Sequence, residues 1–312
     1  MNKVVVGIDI GGTITKIGLI DKNGKCISKI SFRTKENNDF DDFIKNINDS
    51  IIKLNNKNLD ISSIGIGAPN ANSLEGTIET PANLKWKGKL EIIKKLKNFF
   101  NIPIKLSNDA NCAAMGEMLY GNAKSFSDFI VITLGTGLGS GIVSNGKLIQ
   151  GFDGFAGELG HFSINNDGRL TGLGIKGGLE SYASATGLKR TIMYMLAKYT
   201  DNSIFREVPF NNLHGEDITK AAENNDPIAI KAYEYTGKIL GKSLANFVSF
   251  SQPEAIILTG GLANSGKWIL KPTIFHFEKN LLPFYKNKVK ILESGLEEKD
   301  AAILGAAALA WK

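Results

Sequence analysis

The sequence predicts an α/β protein of two lobes, and three observations carry that reading. First, a β-meander occurs twice. Val4–Ile10 turns at Gly11-Gly12 into Ile14–Ile20, with Asn23-Gly24 marking a further turn. Phe129–Leu134 turns within Gly135–Gly139 into Gly141–Val143, with Asn145-Gly146 marking the next. The second copy is two residues shorter between its glycine turn and its Asn-Gly turn, so this is a duplicated supersecondary unit. Second, apolar runs of strand length alternate with segments of helical apolar spacing. Third, 312 residues are enough to bury more than one core.

The elements follow in order. After the first meander, Phe40, Phe43, Ile44, Ile47, Ile51 and Leu54 recur at helical spacing, which predicts a helix over Phe40–Leu54. Ile64–Pro69 reads as a buried strand entering a loop. Leu90–Phe100 reads as a helix, and Ile102–Leu106 as a strand entering Ser107-Asn-Asp-Ala110. Asn111–Tyr120 is predicted helical with Gly121 as its stop, and the lobe boundary falls near Cys112–Tyr120. After the second meander, Gly151–Gly178 is glycine-rich and polar, too long for an inert connector. Helices are expected at Leu179–Ala185, Gly187–Lys198, Asp217–Asn224 and Pro227–Ser251. Glu254–Thr259 is a strand ending in Gly260-Gly261, and Ala301–Trp311 is a closing helix.

Bulk properties exclude several classes. Hydrophobic residues at 43% and charged residues at 22% are ordinary for a soluble globular chain. The longest apolar run, Ala301–Trp311, is too short to span a bilayer, and no signal pattern precedes the strand at Val4. Two cysteines, Cys26 and Cys112, make no disulfide framework, which places the chain in a reducing cytoplasm. The net charge of +6 is spread over scattered lysines without interleaved aromatics, so nucleic acid is not an expected partner.

Glycine at a tight turn lets backbone N–H groups approach a phosphate with no Cβ in the way. Two such loops facing one another would hold a nucleotide, which points to a kinase or ATPase. Three other patterns are decoys. Gly261-Leu-Ala-Asn-Ser-Gly-Lys267 nearly spells a P-loop, but Trp268 stands where a Ser or Thr must bind magnesium. Gly172-Leu-Gly-Ile-Lys-Gly177 has dinucleotide spacing but follows the polar stretch Asn165–Arg169 instead of a strand. Asp109 and His161 lack a serine in a nucleophile elbow.

Asp109 follows a strand at a helix start. It is either a proton acceptor for a hydroxyl nucleophile or, like Asn108, a helix cap. Asp9 ends a buried strand, so its charge needs a partner: magnesium on nucleotide phosphates, or a hydrogen bond within its own turn. Lys16 receives no assignment. Asn83, Asn108, Glu158, His161 and Glu180 are polar residues in apolar or glycine-rich contexts, a pattern suited to the hydroxyls of a sugar.

Six motifs then occur in the order found in one family: Asp9-Ile-Gly-Gly-Thr13, Asn108-Asp-Ala-Asn111, Leu134-Gly-Thr-Gly137, Gly157-Glu-Leu-Gly-His161, Gly177-Gly-Leu-Glu180 and Thr259-Gly-Gly261. Together they resemble the ROK-family sugar kinases over Val4–Leu309. Gly76-Thr-Ile-Glu79 and Asn83-Leu-Lys-Trp-Lys-Gly88 bring the chain nearest to the bacterial glucokinases. The resemblance implies an actin-like (ribonuclease H-like) ATPase fold with nucleotide and sugar in a cleft between lobes. Residues 1–112 would form the N-terminal lobe, completed by a closing helix in 301–312, and 113–300 the C-terminal lobe.

The same resemblance implies phosphorylation of a hexose, glucose first, by ATP with magnesium. Asp109 would be the general base. Asn83, Asn108, Asp109, Glu158, His161 and Glu180 would contact the sugar. Asp9 would hold magnesium through water. Gly11, Gly12, Thr13, Thr136 and Gly137 would take the phosphates, with Gly260 and Gly261 against the adenosine. A homodimer is expected. The other readings are a ROK kinase for fructose, mannose, N-acetylmannosamine or N-acetylglucosamine, a sugar-responsive repressor, and a catalytically dead sugar binder. Only three residues precede Val4, leaving no room for the repressors' DNA-binding domain, and an intact Asp109 argues against the dead binder.

One departure stands out. Most members carry a Cys-x-Cys-Gly-x-x-Gly-Cys-Leu-Glu run that holds zinc together with the histidine of Gly-Glu-x-Gly-His. Thr171, Leu173 and Gly178 replace those cysteines, so no zinc site is expected and the loop must be held by packing and hydrogen bonds. Asn70, where the family often has glycine, is a smaller departure.

Overall fold

A computed structural model of the chain describes residues 3–81 and 83–312. The first meander forms β1 (Lys3–Ile10), β2 (Ile14–Asp21) and β3 (Cys26–Arg33). Next come α1 (Phe40–Leu54), β4 (Asp60–Ala68), the short β5 (Ala71–Asn72), β6 (Thr77–Glu79) and β7 (Lys89–Leu90), α2 (Ile92–Leu96), β8 (Ile104–Asn108) and α3 (Asp109–Leu119). The second meander forms β9 (Phe129–Leu134), β10 (Leu138–Ser144) and β11 (Lys147–Leu148). After a glycine-rich stretch come α4 (Ala185–Lys198), α5 (Gly215–Glu223), α6 (Pro227–Ser251), β12 (Ala255–Thr259), α7 (Lys267–Asn280), β13 (Lys290–Glu293) and α8 (Glu298–Trp311).

The duplication goes deeper than the meanders. One sheet runs β3-β2-β1-β4-β8 and the other β11-β10-β9-β12-β13. In the first, β1 is antiparallel to β2 and parallel to β4, and β4 is parallel to β8. In the second, β9 is parallel to β12 and β12 to β13. This repeated order is that of the actin-like fold. The chain divides into two compact units. One runs through Ser127 and adds Gly141–Gly157 and Ser294–Lys312; the other comprises Asp128–Ser140 and Glu158–Glu293. The first unit thus extends past residue 112, through all of α3.

In the first unit α1 covers one sheet face, burying Phe43, Ile44, Ile47 and Ile51 against Val4, Val6, Ile8, Ile64 and Ile66. The other face takes α8, which packs on β1, β4 and α3. Its close approach needs bare backbone: a Cβ on Gly7 or Gly65 would collide with the carbonyl oxygens of Ile303 and Ala306. The alanines of α8 complete the fit, Ala306, Ala307 and Ala308 being fully buried.

In the second unit, α6 starts on Asp226, whose carboxylate accepts from the N–H groups of Ile228 and Ala229, with Pro227 at the first turn. Helix α7 was not anticipated because Pro272 lies inside it. That ring packs over Gly237 of α6, where a Cβ would meet it at 2.6 Å. Packing against α6 outweighs proline's lost N–H.

Two expected helices are shorter. Leu90 pairs with Ile78 as a strand, which leaves α2 only Ile92–Leu96. Leu179–Ala185 keeps one 3₁₀ turn, Leu179–Ser181, because the Ser184 hydroxyl accepts from Gly187 N–H and starts α4 afresh. Strand β13 lacked an anticipating signal; it is a half-buried edge of four residues.

Candidate active site

In the first unit the candidate residues gather at the carboxyl ends of parallel strands, where open α/β sheets place their ligands. Asp9 of β1 is in register with Gly67 of β4, and Ala68 with Asn108 of β8. Asp109 is the first residue of α3, and its carboxylate accepts from Ala110 N–H at 2.8 Å. Asn108 caps the helix through the same N–H, also at 2.8 Å. Asn108 therefore fills the cap, and Asp109 stands beside it as the first helical residue.

Burial pushes the Asp109 carboxyl above the usual carboxylate range. Burial also raises Asp9, to about 6, with the nearby Asp109 charge adding to the rise and Lys16 opposing it. Lys16 faces Asp9 directly across the β1–β2 hairpin. Sequence reasoning left Lys16 unassigned, although the register of a hairpin turning at Gly11–Thr13 puts residue 16 opposite residue 9. Burial and the same two carboxylates also drive the Cys112 thiol well up.

The turn at Gly11-Gly12-Thr13 is braced from outside. Thr34 donates its hydroxyl to Gly11 O at 2.8 Å and its N–H to Thr13 O at 2.9 Å. This brace was missed because Thr34 lies one strand further on. The Asn83 backbone rests on the turn, and a Cβ on Gly12 would come 2.6 Å from Asn83 O. Asn70 adopts φ +51° and donates its amide to Thr80 O at 3.3 Å. That left-handed backbone is one that glycine adopts without strain.

In the second unit the start of β10 is the hub. Leu138 N–H donates to Glu180 Oε2 at 3.0 Å, and a Cβ on Gly137 would collide with that same oxygen. Glu158 and His161 flank one 3₁₀ turn, with His161 Nε2 3.7 Å from Glu158 Oε2. Leu159 N–H donates to Ser140 Oγ at 3.2 Å, which ties that turn to β10. Glu158, His161, Glu180, Thr136 and Gly137 are thus brought together. Gly260, at φ +95°, lies against Leu134, whose carbonyl accepts from Leu262 N–H at 3.0 Å. The two glycine turns of this unit therefore adjoin, and a Cβ on Gly261 would meet nothing within 4 Å.

The resemblance implies magnesium, while zinc is the metal of the cysteine-bearing members, and the residues here treat the two differently. Desolvation raises both carboxylates, the Asp109 charge raises Asp9 further, and Lys16 offsets only part of that rise. That suits a hard divalent cation that takes one or two carboxylates plus phosphates and water, as magnesium does. Zinc does not fit. Thr171 is buried with its hydroxyl accepting from Ile175 N–H, Leu173 is 65% exposed and Gly178 has no side chain. Among the described residues no group of three or more His, Cys, Asp or Glu could hold a metal. His161 Nδ1 is buried with no hydrogen-bond partner.

Residues 5–312 match the ROK family. A glucokinase of Halalkalibacterium halodurans is 32% identical over 89% of this chain and 86% of its own. The crystal structure of a ROK family glucokinase from Streptomyces griseus, in complex with glucose and AMPPNP, superimposes with a TM-score of 0.82 at 30% identity over 99% of both chains. A xylose repressor of Caldicellulosiruptor bescii is 28% identical over 98% of this chain and 77% of its own.

Proposed function

The chain belongs to the ROK family, and from that premise we propose that it is an ATP-dependent hexose kinase that converts glucose to glucose 6-phosphate. The observation that carries this reading is the carboxylate of Asp109 at the start of α3, raised by desolvation and placed near Asp9 at the strand ends. A sugar hydroxyl is too weak an acid to ionise alone, so a carboxylate that receives its proton lowers the barrier. Asp109 has the needed proton affinity because burial has raised it. The 6-hydroxyl oxygen forms the new bond to the γ-phosphorus, the bond from that phosphorus to the β,γ-bridging oxygen breaks, and ADP leaves with the electron pair. The hydroxyl proton ends on Asp109.

Asp9 would hold magnesium through water, and the ion would supply charge neutralisation on the phosphates. Gly11, Gly12 and Thr13, with Thr136 and Gly137, donate N–H and hydroxyl groups to those phosphates. Gly260 and the open backbone of Gly261 receive the adenosine. Asn108 uses its free amide donors, and Glu158, His161 and Glu180 their ring and carboxylate atoms, on the sugar hydroxyls, with Asn83 beside the first glycine turn. A cytoplasmic homodimer completes the reading. The free Cys26 and Cys112 support that compartment, and sedimentation tests the dimer.

The deciding experiment is a coupled ADP-release assay across glucose, mannose, fructose, galactose and the N-acetylhexosamines. Glucose giving the highest kcat/KM supports the assignment; another hexose replaces glucose but keeps the kinase. The likeness to a xylose repressor gives a second reading, a sugar-responsive regulator, which sugar binding without ADP release would select.

A further inference from the structure

The zinc ligands are gone, yet the loop they would hold is well tied. Arg169 is the centre of that tie. Its Nη1 donates to Ser181 O at 3.3 Å, Gly187 O at 3.2 Å and Thr191 Oγ1 at 2.9 Å. Its guanidinium lies over the Tyr182 ring, 4.7 Å from the centroid. Its backbone is gripped too. Arg169 N–H donates to the Tyr182 hydroxyl at 3.1 Å, and Arg169 O accepts from Ser181 Oγ at 3.2 Å and Gly177 N–H at 2.8 Å. One residue thus joins the 163–178 loop, the short turn Leu179–Ser181 and the first turns of α4.

Glu180 lies in the middle of that turn. Ser184 Oγ donates to its carbonyl at 2.8 Å, and its carboxylate reaches Leu138 N–H. The direction of Glu180 therefore depends on where Ser181 and α4 sit, and Arg169 fixes both. A planar guanidinium with several donors can hold carbonyls from separate segments, as a tetrahedral metal holds ligands from separate segments.

We propose that Arg169 is a positioning residue that does for this loop what zinc does in cysteine-bearing members, holding Glu180 at the angle sugar binding needs. The effect falls on the sugar side, because Ser181, Gly187 and Thr191, the residues that Arg169 Nη1 holds, lie outside the glycine turns assigned to phosphate. The inference rests on Glu180 as a sugar contact, and that part is separately testable.

The experiment is titration calorimetry of glucose binding, with steady-state kinetics beside it, on the full chain. Arg169→Ala should weaken glucose binding and raise the glucose KM about tenfold, as expected for lost charge-assisted hydrogen bonds, while the ATP KM moves less than about twofold. Added guanidinium at non-denaturing concentration should recover part of the loss, and Arg169→Lys should fall between the two. Arg169→Lys also serves if the alanine variant does not fold. Wild type stripped by a strong chelator and then given magnesium should bind glucose as before. Unchanged glucose binding in both variants overturns the proposal, as does chelator-weakened binding that zinc restores. Glu180→Gln separates the layers. If it leaves glucose binding intact, the site assignment fails; if it weakens binding while the Arg169 variants do not, only the present inference fails.

Discussion

Asn108 and Asp109 share one donor, the N–H of Ala110, at 2.8 Å from each. A single amide thereby caps α3 and fixes the orientation of the carboxylate that the proposed chemistry depends on. The cap leaves the second oxygen of Asp109 outside this bond.

Asp109→Asn keeps the shape of the side chain and its bond to Ala110 but removes the proton acceptor. Turnover should fall roughly 10²–10⁴-fold, the range for a positioned acid–base group, while the melting temperature and glucose binding change little. Near-normal turnover would take Asp109 out of the mechanism.

Asp9 links pH to both activity and stability. Its pKa in the folded, ligand-free chain is about 6, above its ordinary value of 3.8. Between those values the folded chain holds more protons than the unfolded one, so stability falls as pH rises through that window and stays low above it. Asp9→Asn should therefore melt higher than wild type at pH 7 without ligand, while losing activity. Wild-type kcat/KM should decline as pH drops below about 6. A variant that melts lower at pH 7 and higher at pH 4 would contradict this account.

Lys16 opposes the rise at Asp9. Replacing it with Met should shift the acidic limb of the kcat/KM profile to higher pH. A pH profile for Lys16→Met that overlays wild type would show that the cross-hairpin charge is screened out.

The two glycine turns of the second unit should respond differently to a methyl group. Gly137→Ala forces the Glu180 carboxylate aside, so the glucose KM should rise severalfold. A Cβ on Gly261 meets nothing, so Gly261→Ala should stay within about 0.5 kcal/mol of wild-type stability, and a rise in the ATP KM alone would report the nucleotide against that backbone. Unchanged ATP kinetics would remove Gly261 from the nucleotide site.

The hydroxyl pattern sets the sugar prediction. Each mispaired buried polar group costs about 1–3 kcal/mol, so galactose should be used far less well than glucose. His161→Ala should raise the glucose KM more than the ATP KM, and a reversed ranking in the same assay would move His161 off the sugar.

Much of this was legible from local signals. The two meanders, α1 and α6 carried their own periodicity, turn residues and caps, and Asp9 and Asp109 stood at strand ends readable from apolar runs. What escaped depended on partners distant in sequence. Pro272 masked a helix that packing against Gly237 stabilises; Leu90 became a strand only through Ile78; Thr34 braces a turn more than twenty residues earlier. Arg169 looked like one basic residue in a polar loop, since its meaning lies in three acceptors supplied by Ser181, Gly187 and Thr191.

The seat of α8 against Gly7 and Gly65 has a consequence for biosynthesis. Strands β1 and β4 leave the ribosome early, yet the helix that covers one face of their sheet is made only after the whole second unit. The nascent first unit must wait with that glycine-lined face bare, as a platform for a chaperone or for aggregation. Synthesis halted before residue 298 would release a chain that carries Asp9 and Asp109 on an unfinished sheet whose bare face favours aggregation.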